Sequence, residues 1–255
     1  RPGTEIIFTP NSSDESCATP VGPAAGPHTQ LFVGKCDIIV IGEIKILGKG
    51  EKPVIIGNPS YIKESISWGG IIFLNENDES FIKNAQIQFA SIGLFILDSS
   101  KVKVSDNKIL NNRIGVNCGE TSSPLIENNI IKENFSEGIV AVNDASPSIK
   151  NNFIERNSVA GIHLEDKAKV IIEKNKIKDS KFGISCSGFS SAEISENVIS
   201  YCKKAIILSN SAKGKIHKNT FLQNEKGINY NSEISVDLKG NIFKKNKQKI
   251  AKEKP

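Results

Sequence analysis

Apolar and polar positions recur along this chain with a period close to 22 residues. Aligning on Asn-x-Ile gives eight starts, at Ala85, Asn107, Asn129, Asn152, Asn175, Asn197, Asn219 and Asn241, with steps of 22 or 23 residues. Two residues after each start stands an isoleucine or phenylalanine, from Ile87 and Ile109 to Phe221 and Phe243. Three residues before the starts lie Ile82, Val104, Ile126, Ile149, Ile172, Ile194, Ile216 and Leu238. A second polar column, five after each start, holds Asn112, Asn134, Asn157, Asn224 and Asn246, with Ala90, Ser180 and Cys202 in the other places. A glycine follows at Gly93, Gly115, Gly138, Gly161, Gly183 and Gly227, with Ala205 in the remaining place.

Each column has a physical reason. β-Branched side chains fit pleated strands and fill a narrow interior. After the glycine the pattern alternates inward and outward, as in Leu94-Phe95-Ile96 and Ile162-His163-Leu164. Asparagine tolerates left-handed bends, and copies stacked at the ~4.8 Å strand spacing can hydrogen-bond to one another as an asparagine ladder. Glycine is expected to relieve a backbone conformation closed to other residues. One period therefore reads as three short strands and three bends. The predicted fold is all-β: a right-handed, single-stranded parallel β-helix of about 10 coils, about 22 residues each, with three short parallel sheets. Leucine-rich repeats have a similar period but are dominated by Leu and include a helical segment, and this chain has neither feature.

The chain is predicted to be a single domain over residues 1–255. Regular coils occupy 68–250, starting from Trp68-Gly-Gly-Ile-Ile-Phe73. In the irregular region 1–67, Glu5–Phe8, Ile38–Ile41, Ile44–Ile46 and Val54–Ile56 read as strands of the first coils, with 9–36 as an insertion. Residues 251–255 form a basic tail without an inward apolar position. The chain opens at Arg1 and contains no Met, which points to processing or trimming.

The repeat Asn-Asn-x-Ile-x-x-Asn-x-x-x-Gly-Ile at residues 151–162 resembles the parallel β-helix repeat family. That family includes pectate-lyase-like enzymes, mannuronan epimerases and NosD-like periplasmic proteins. The resemblance implies the fold across 68–250 and an extracellular, cell-surface or periplasmic location. It leaves function open, because the family spans several chemistries.

The net charge of +5 does not indicate nucleic acid. Residues 244–255 hold six lysines and one glutamate, which accounts for all of it, and a phosphate-binding groove would need basic residues along the body. No apolar run approaches the ~20 residues of a transmembrane helix. Cys118, Cys186 and Cys202 fall on repeat positions and read as small core residues. Cys17 and Cys36 bracket the Pro/Gly-rich insertion and are predicted to form a disulfide. No Cys-x-x-Cys pair and no Cys/His/Met set suggests a metal or other cofactor.

For catalysis, the candidates are His163, which must point outward between Ile162 and Leu164, with Asp144 and Asp166 in neighbouring turns and Glu165 beside the turn column as a further possible partner. Asp98, Glu120, Asn143 and Asp166 share one turn column, where such residues also serve simply as turn formers. The Asp-Pro-His-Asp motif of epimerases is absent, and neither the calcium-binding Asp cluster nor the catalytic Arg of pectate lyases has a match. For binding, the candidates are two outward apolar pairs, Phe95 with Val140 and Ile130 with Phe153. Heterogeneous outward columns argue against an ice- or mineral-binding array. Two readings remain. One is a non-catalytic envelope or extracellular module binding a partner protein or glycan, and the missing catalytic signatures favour it. The alternative is a carbohydrate-active enzyme: a polysaccharide lyase, hydrolase or epimerase.

Overall fold

A computed structural model describes residues 5–8 (backbone only), 37–41, 43–48, 53–57, 68–74, 80–231, 233–234 and 236–253. Its described elements are all β-strands, arranged in three sheets that wind as a β-helix. Sheet one has 11 strands, running from Glu5–Phe8 to Gln248–Glu253. Sheet two has nine, from Lys45–Leu47 to Val236–Lys239, and sheet three has nine, from Val54–Ile56 to Ile242–Lys244. Consecutive coils pair in parallel and in register, as in Ile109 on Ile131 and Ile131 on Ile154.

Two details differ from the repeat-based expectation. Glu5–Phe8 pairs antiparallel with Asp37–Ile41, so it closes the end of sheet one rather than starting a coil. At the other end the last strand runs to Glu253, three residues into the stretch read as a tail. There Ala251 is buried on Asn229, and the Lys252 ammonium lies 5.7 Å from the Tyr230 ring centroid.

The interior is a continuous apolar column. Val104, Ile126 and Ile149 of sheet two and Ile109, Ile131 and Ile154 of sheet three are fully buried, as are Val116, Ile139 and Ile162 of sheet one. Cys118 and Cys186 lie inside with them, and Cys202 is buried at a bend.

The bends explain the asparagine columns. Asn129 Oδ1 accepts the backbone N–H of Asn107 at 2.9 Å, Asn152 accepts that of Asn129, and the pattern continues through Asn175 and Asn197 to Asn219 and Asn241. Each Nδ2 also donates to a strand carbonyl, as Asn129 does to Val104 O at 2.9 Å. The second column has the same bonds through Ala90, Asn112, Asn134 and Asn157, and again from Cys202 to Asn224 and Asn246. The residue before each of these asparagines is left-handed: φ is 58° at Asp106, 57° at Glu133, 52° at Arg156 and 56° at Lys218.

The glycine column has a different cause from the one expected. Gly70 alone in that column has a left-handed φ, at 144°. From Gly93 onward, the constraint is proximity. A Cβ at Gly138 would stand 2.6 Å from Gly161 O and 2.9 Å from Asn157 Nδ2, and one at Gly115 would stand 2.4 Å from Gly138 O. Bare Cα atoms let each coil pass close to the carbonyl of the next.

Candidate functional site

The turn that follows each sheet-one strand carries the polar residues singled out as chemistry. Asp98, Glu120, Asn143 and Asp166 all adopt φ between 51° and 57°. The side chains of Glu120, Asn143 and Asp166 are tied to the backbone of the coil before. Asp98 N–H donates to Glu120 Oε2 at 3.0 Å, Glu120 N–H to Asn143 Oδ1 at 3.3 Å, and Asn143 N–H to Asp166 Oδ2 at 3.2 Å. Hydrogen bonding to the Asp98 carboxyl, with burial and the neighbouring negative charge, raises the Glu120 pKa.

His163 stands in the outward column of sheet one, between Val140 on one coil and Ser185 on the next. It is half-buried, and its Nε2 lies 3.7 Å from Glu165 Oε2. Asp144 is exposed, one residue beyond the bonded Asn143. Asp166 is half-buried and engaged with the Asn143 amide. The fold thus places the three candidates on adjacent coils at one edge of sheet one. Of the three acids that the sequence offers as partners for His163, Glu165 is the one in contact with it.

The apolar candidates divide between two sheets. Phe95 and Val140 face outward on sheet one but are only 6% and 2% exposed. With Ile72, Ile92 and Ile114 they form a second apolar cluster outside the main core. Asn117 lies between them in the same column, 2% exposed, and its carboxamide oxygen has no hydrogen-bond partner among the described residues. Ile130 and Phe153 pair directly on sheet three, where Ile130 is 36% exposed. Lys108 and Lys176 continue that column on either side, and the Lys178 ammonium lies 5.4 Å from the Phe153 ring centroid. Lys178 also pairs with Glu155 at 2.8 Å. The predicted disulfide partners Cys17 and Cys36 lie outside the described residues.

A family profile described as "Periplasmic copper-binding protein (NosD)" matches residues 52–253. The chain belongs to the NosD family. No curated protein matches this member in sequence. Among solved structures, this NosD-family chain is similar to the A-module of the Azotobacter vinelandii mannuronan C-5 epimerase AlgE4. The TM-score is 0.63 at 13% identity, over 86% of this chain and 77% of that one. It is also similar to pectate lyase Pel9A, with a TM-score of 0.59 at 14% identity, over 79% of this chain and 68% of that one. At such identities these likenesses establish the fold.

The family description raises copper, and the donors here do not fit it. Burial raises the Cys118 thiol pKa above its usual range and pushes those of Cys186 and Cys202 up to about 12 and about 11. Protonated thiols enclosed by aliphatic side chains are poor ligands. Cys118 and Cys186 are three coils apart in one inward column, roughly 14 Å at the strand spacing. His163 and His217 project from different sheets, and the sequence has no Met. Among the described residues no three His, Cys, Asp or Glu side chains converge on a metal-sized site. Nor is any described helix long and apolar enough to cross a membrane.

Proposed function

We propose that this NosD-family chain is a non-catalytic module of the cell envelope or extracellular space that binds a glycan or an envelope protein along its flank. The family's periplasmic description supports the location. The observation that carries the binding reading is the sheet-three column Lys108, Ile130, Phe153, Lys176. It sets an aromatic face and an exposed aliphatic side chain between lysines at the regular strand spacing, so that one extended chain can meet all four. The turn carboxylates favour binding over catalysis, because Asp166 and Glu120 are engaged with backbone amides. A glycan array with the purified protein tests the proposal, alongside a screen for lyase, hydrolase and epimerase activity. Binding that falls on Phe153→Ala, without turnover, supports it. Turnover of any polysaccharide overturns the non-catalytic reading, and binding indifferent to Phe153→Ala overturns the surface.

The contact between His163 and Glu165 favours one second reading, a polysaccharide-active enzyme working at His163 with Asp144 and Asp166. Full activity in a His163→Ala, Asp166→Ala double variant would remove it.

A further inference from the structure

The bend between sheets three and one carries a groove of about 410 Å³ on its outer side. Two stacked columns line it. Tyr201, Gln223 and Lys245 are the residues just before the second asparagine column, left-handed with φ of 57°, 54° and 54°. Lys203, Glu225 and Lys247 are the residues just after it. The column between them fixes the spacing: the Cys202 N–H donates to Asn224 Oδ1 and the Asn224 N–H to Asn246 Oδ1, both at 2.9 Å. The coils that hold Tyr201 and Gln223 each have a described coil on both sides.

Tyr201 is 52% exposed, and its hydroxyl donates to Gln223 Oε1 at 2.8 Å. That bond ties the ring to the next coil and leaves the Gln223 amide N–H groups for a ligand. Charge in the groove is uneven. Glu225 lies 3.6 Å from Lys247, whereas the exposed Lys203 and Lys245 have no ion-pair partner among the described residues. These two lysines stand diagonally across the groove, two coils apart, about 10 Å at the strand spacing. An aromatic platform, a hydrogen-bonding amide and two uncompensated cations therefore meet on one rigid flank.

We propose that this groove binds a phosphorylated sugar. The C–H face of the pyranose lies on the Tyr201 ring, and its hydroxyls meet Gln223 and Glu225. The phosphate takes Lys203 and Lys245, whose flexible stems let both ammonium groups converge on one anion. A phosphate monoester carries a charge of about −1.5 to −2 at neutral pH and several acceptor oxygens, which matches both lysines, while a carboxylate would leave one unmatched. The groove is separate from the sheet-three column at Phe153 and does not depend on its reading.

Isothermal titration calorimetry with the full chain compares glucose 6-phosphate with glucose, glucuronate and inorganic phosphate. Glucose 6-phosphate should bind saturably, and at least about tenfold more tightly than glucose or glucuronate. Lys203→Gln and Lys245→Gln should each weaken it by about tenfold, and Phe153→Ala should leave it unchanged. Tyr201→Ala should weaken the sugar phosphate while leaving inorganic phosphate as it was. All three substituted groove residues are exposed, and an unchanged melting temperature checks each variant's fold. A phosphorylated oligosaccharide run beside the monomer distinguishes the source: tighter binding of the oligosaccharide assigns a glycan, equal binding a free sugar phosphate, and both support the site. Absent binding, equal binding of glucuronate, or indifference to the lysine variants overturns the proposal. So does inorganic phosphate binding as tightly as the sugar phosphate with no effect of Tyr201→Ala, which marks an adventitious ion only.

Discussion

Asp166 receives the backbone N–H of Asn143, one coil away, on its Oδ2 at 3.2 Å. Asn143 does the same for Glu120 with a carboxamide oxygen, so the column needs an acceptor and not a charge. Asp166→Ala is therefore expected to cost about 0.5–2 kcal/mol, and Asp166→Asn close to nothing. Urea denaturation of both variants measures this. Equal losses would show that the carboxylate has work beyond the amide.

Asn157 Oδ1 accepts both the backbone N–H and the Nδ2 of Asn134, at 3.2 and 2.8 Å, while its own Nδ2 donates to Ile131 O. Removing that side chain leaves buried partners unsatisfied. Asn157→Ala should lower stability by about 1–3 kcal/mol, read as a lower melting temperature and urea midpoint.

Two substitutions separate the two reasons for glycine. Gly138→Ala places a Cβ against Gly161 O and should cost about 1–3 kcal/mol, although φ there is ordinary. Lys218 is exposed with φ 56°, where a Cβ is itself unfavourable, so Lys218→Gly should stabilise by roughly 1 kcal/mol. Opposite signs in thermal denaturation are the expected outcome.

Asp37 is 6% exposed on sheet one, and burial pushes its carboxyl pKa up to about 6 from the usual 3.8. The native state thus holds this proton more tightly than the unfolded chain does. The stabilisation it contributes is fully present below pH about 4 and is lost as pH rises through about 6. Asp37→Asn should flatten that part of the stability profile and raise stability at neutral pH by about 1–3 kcal/mol. Denaturation midpoints across this range provide the check.

The β-helix was legible because its columns repeat: eight copies of Asn-x-Ile, in steps of 22 or 23, fix which residues stack. The left-handed residues before the asparagines were not. Glu133, Arg156 and Gln223 are not residues whose type announces positive φ, and it is the stacked bonds beside them that hold the bend. The glycines were visible, but their cause lay in a carbonyl one coil on, a distance that no single repeat encodes. Outward direction was readable for Phe95 and Val140 from strand alternation, yet direction is not exposure, and both are buried. The candidate chemistry was least legible: His163 contacts Glu165, just past the end of its strand, while Asp166 is engaged with the Asn143 amide.

The backbone donors along the asparagine columns all point the same way, each reaching forward to the side chain of the coil that follows. A coil is thus completed by its successor. A ribosome, which delivers the chain from the amino terminus, always leaves the newest coil waiting for the next. The same grammar governs how such a protein changes length over evolutionary time. Gaining or losing one whole period rejoins every donor to an equivalent acceptor, whereas an insertion of part of a period within a strand or bend breaks the sequence of bonds at once.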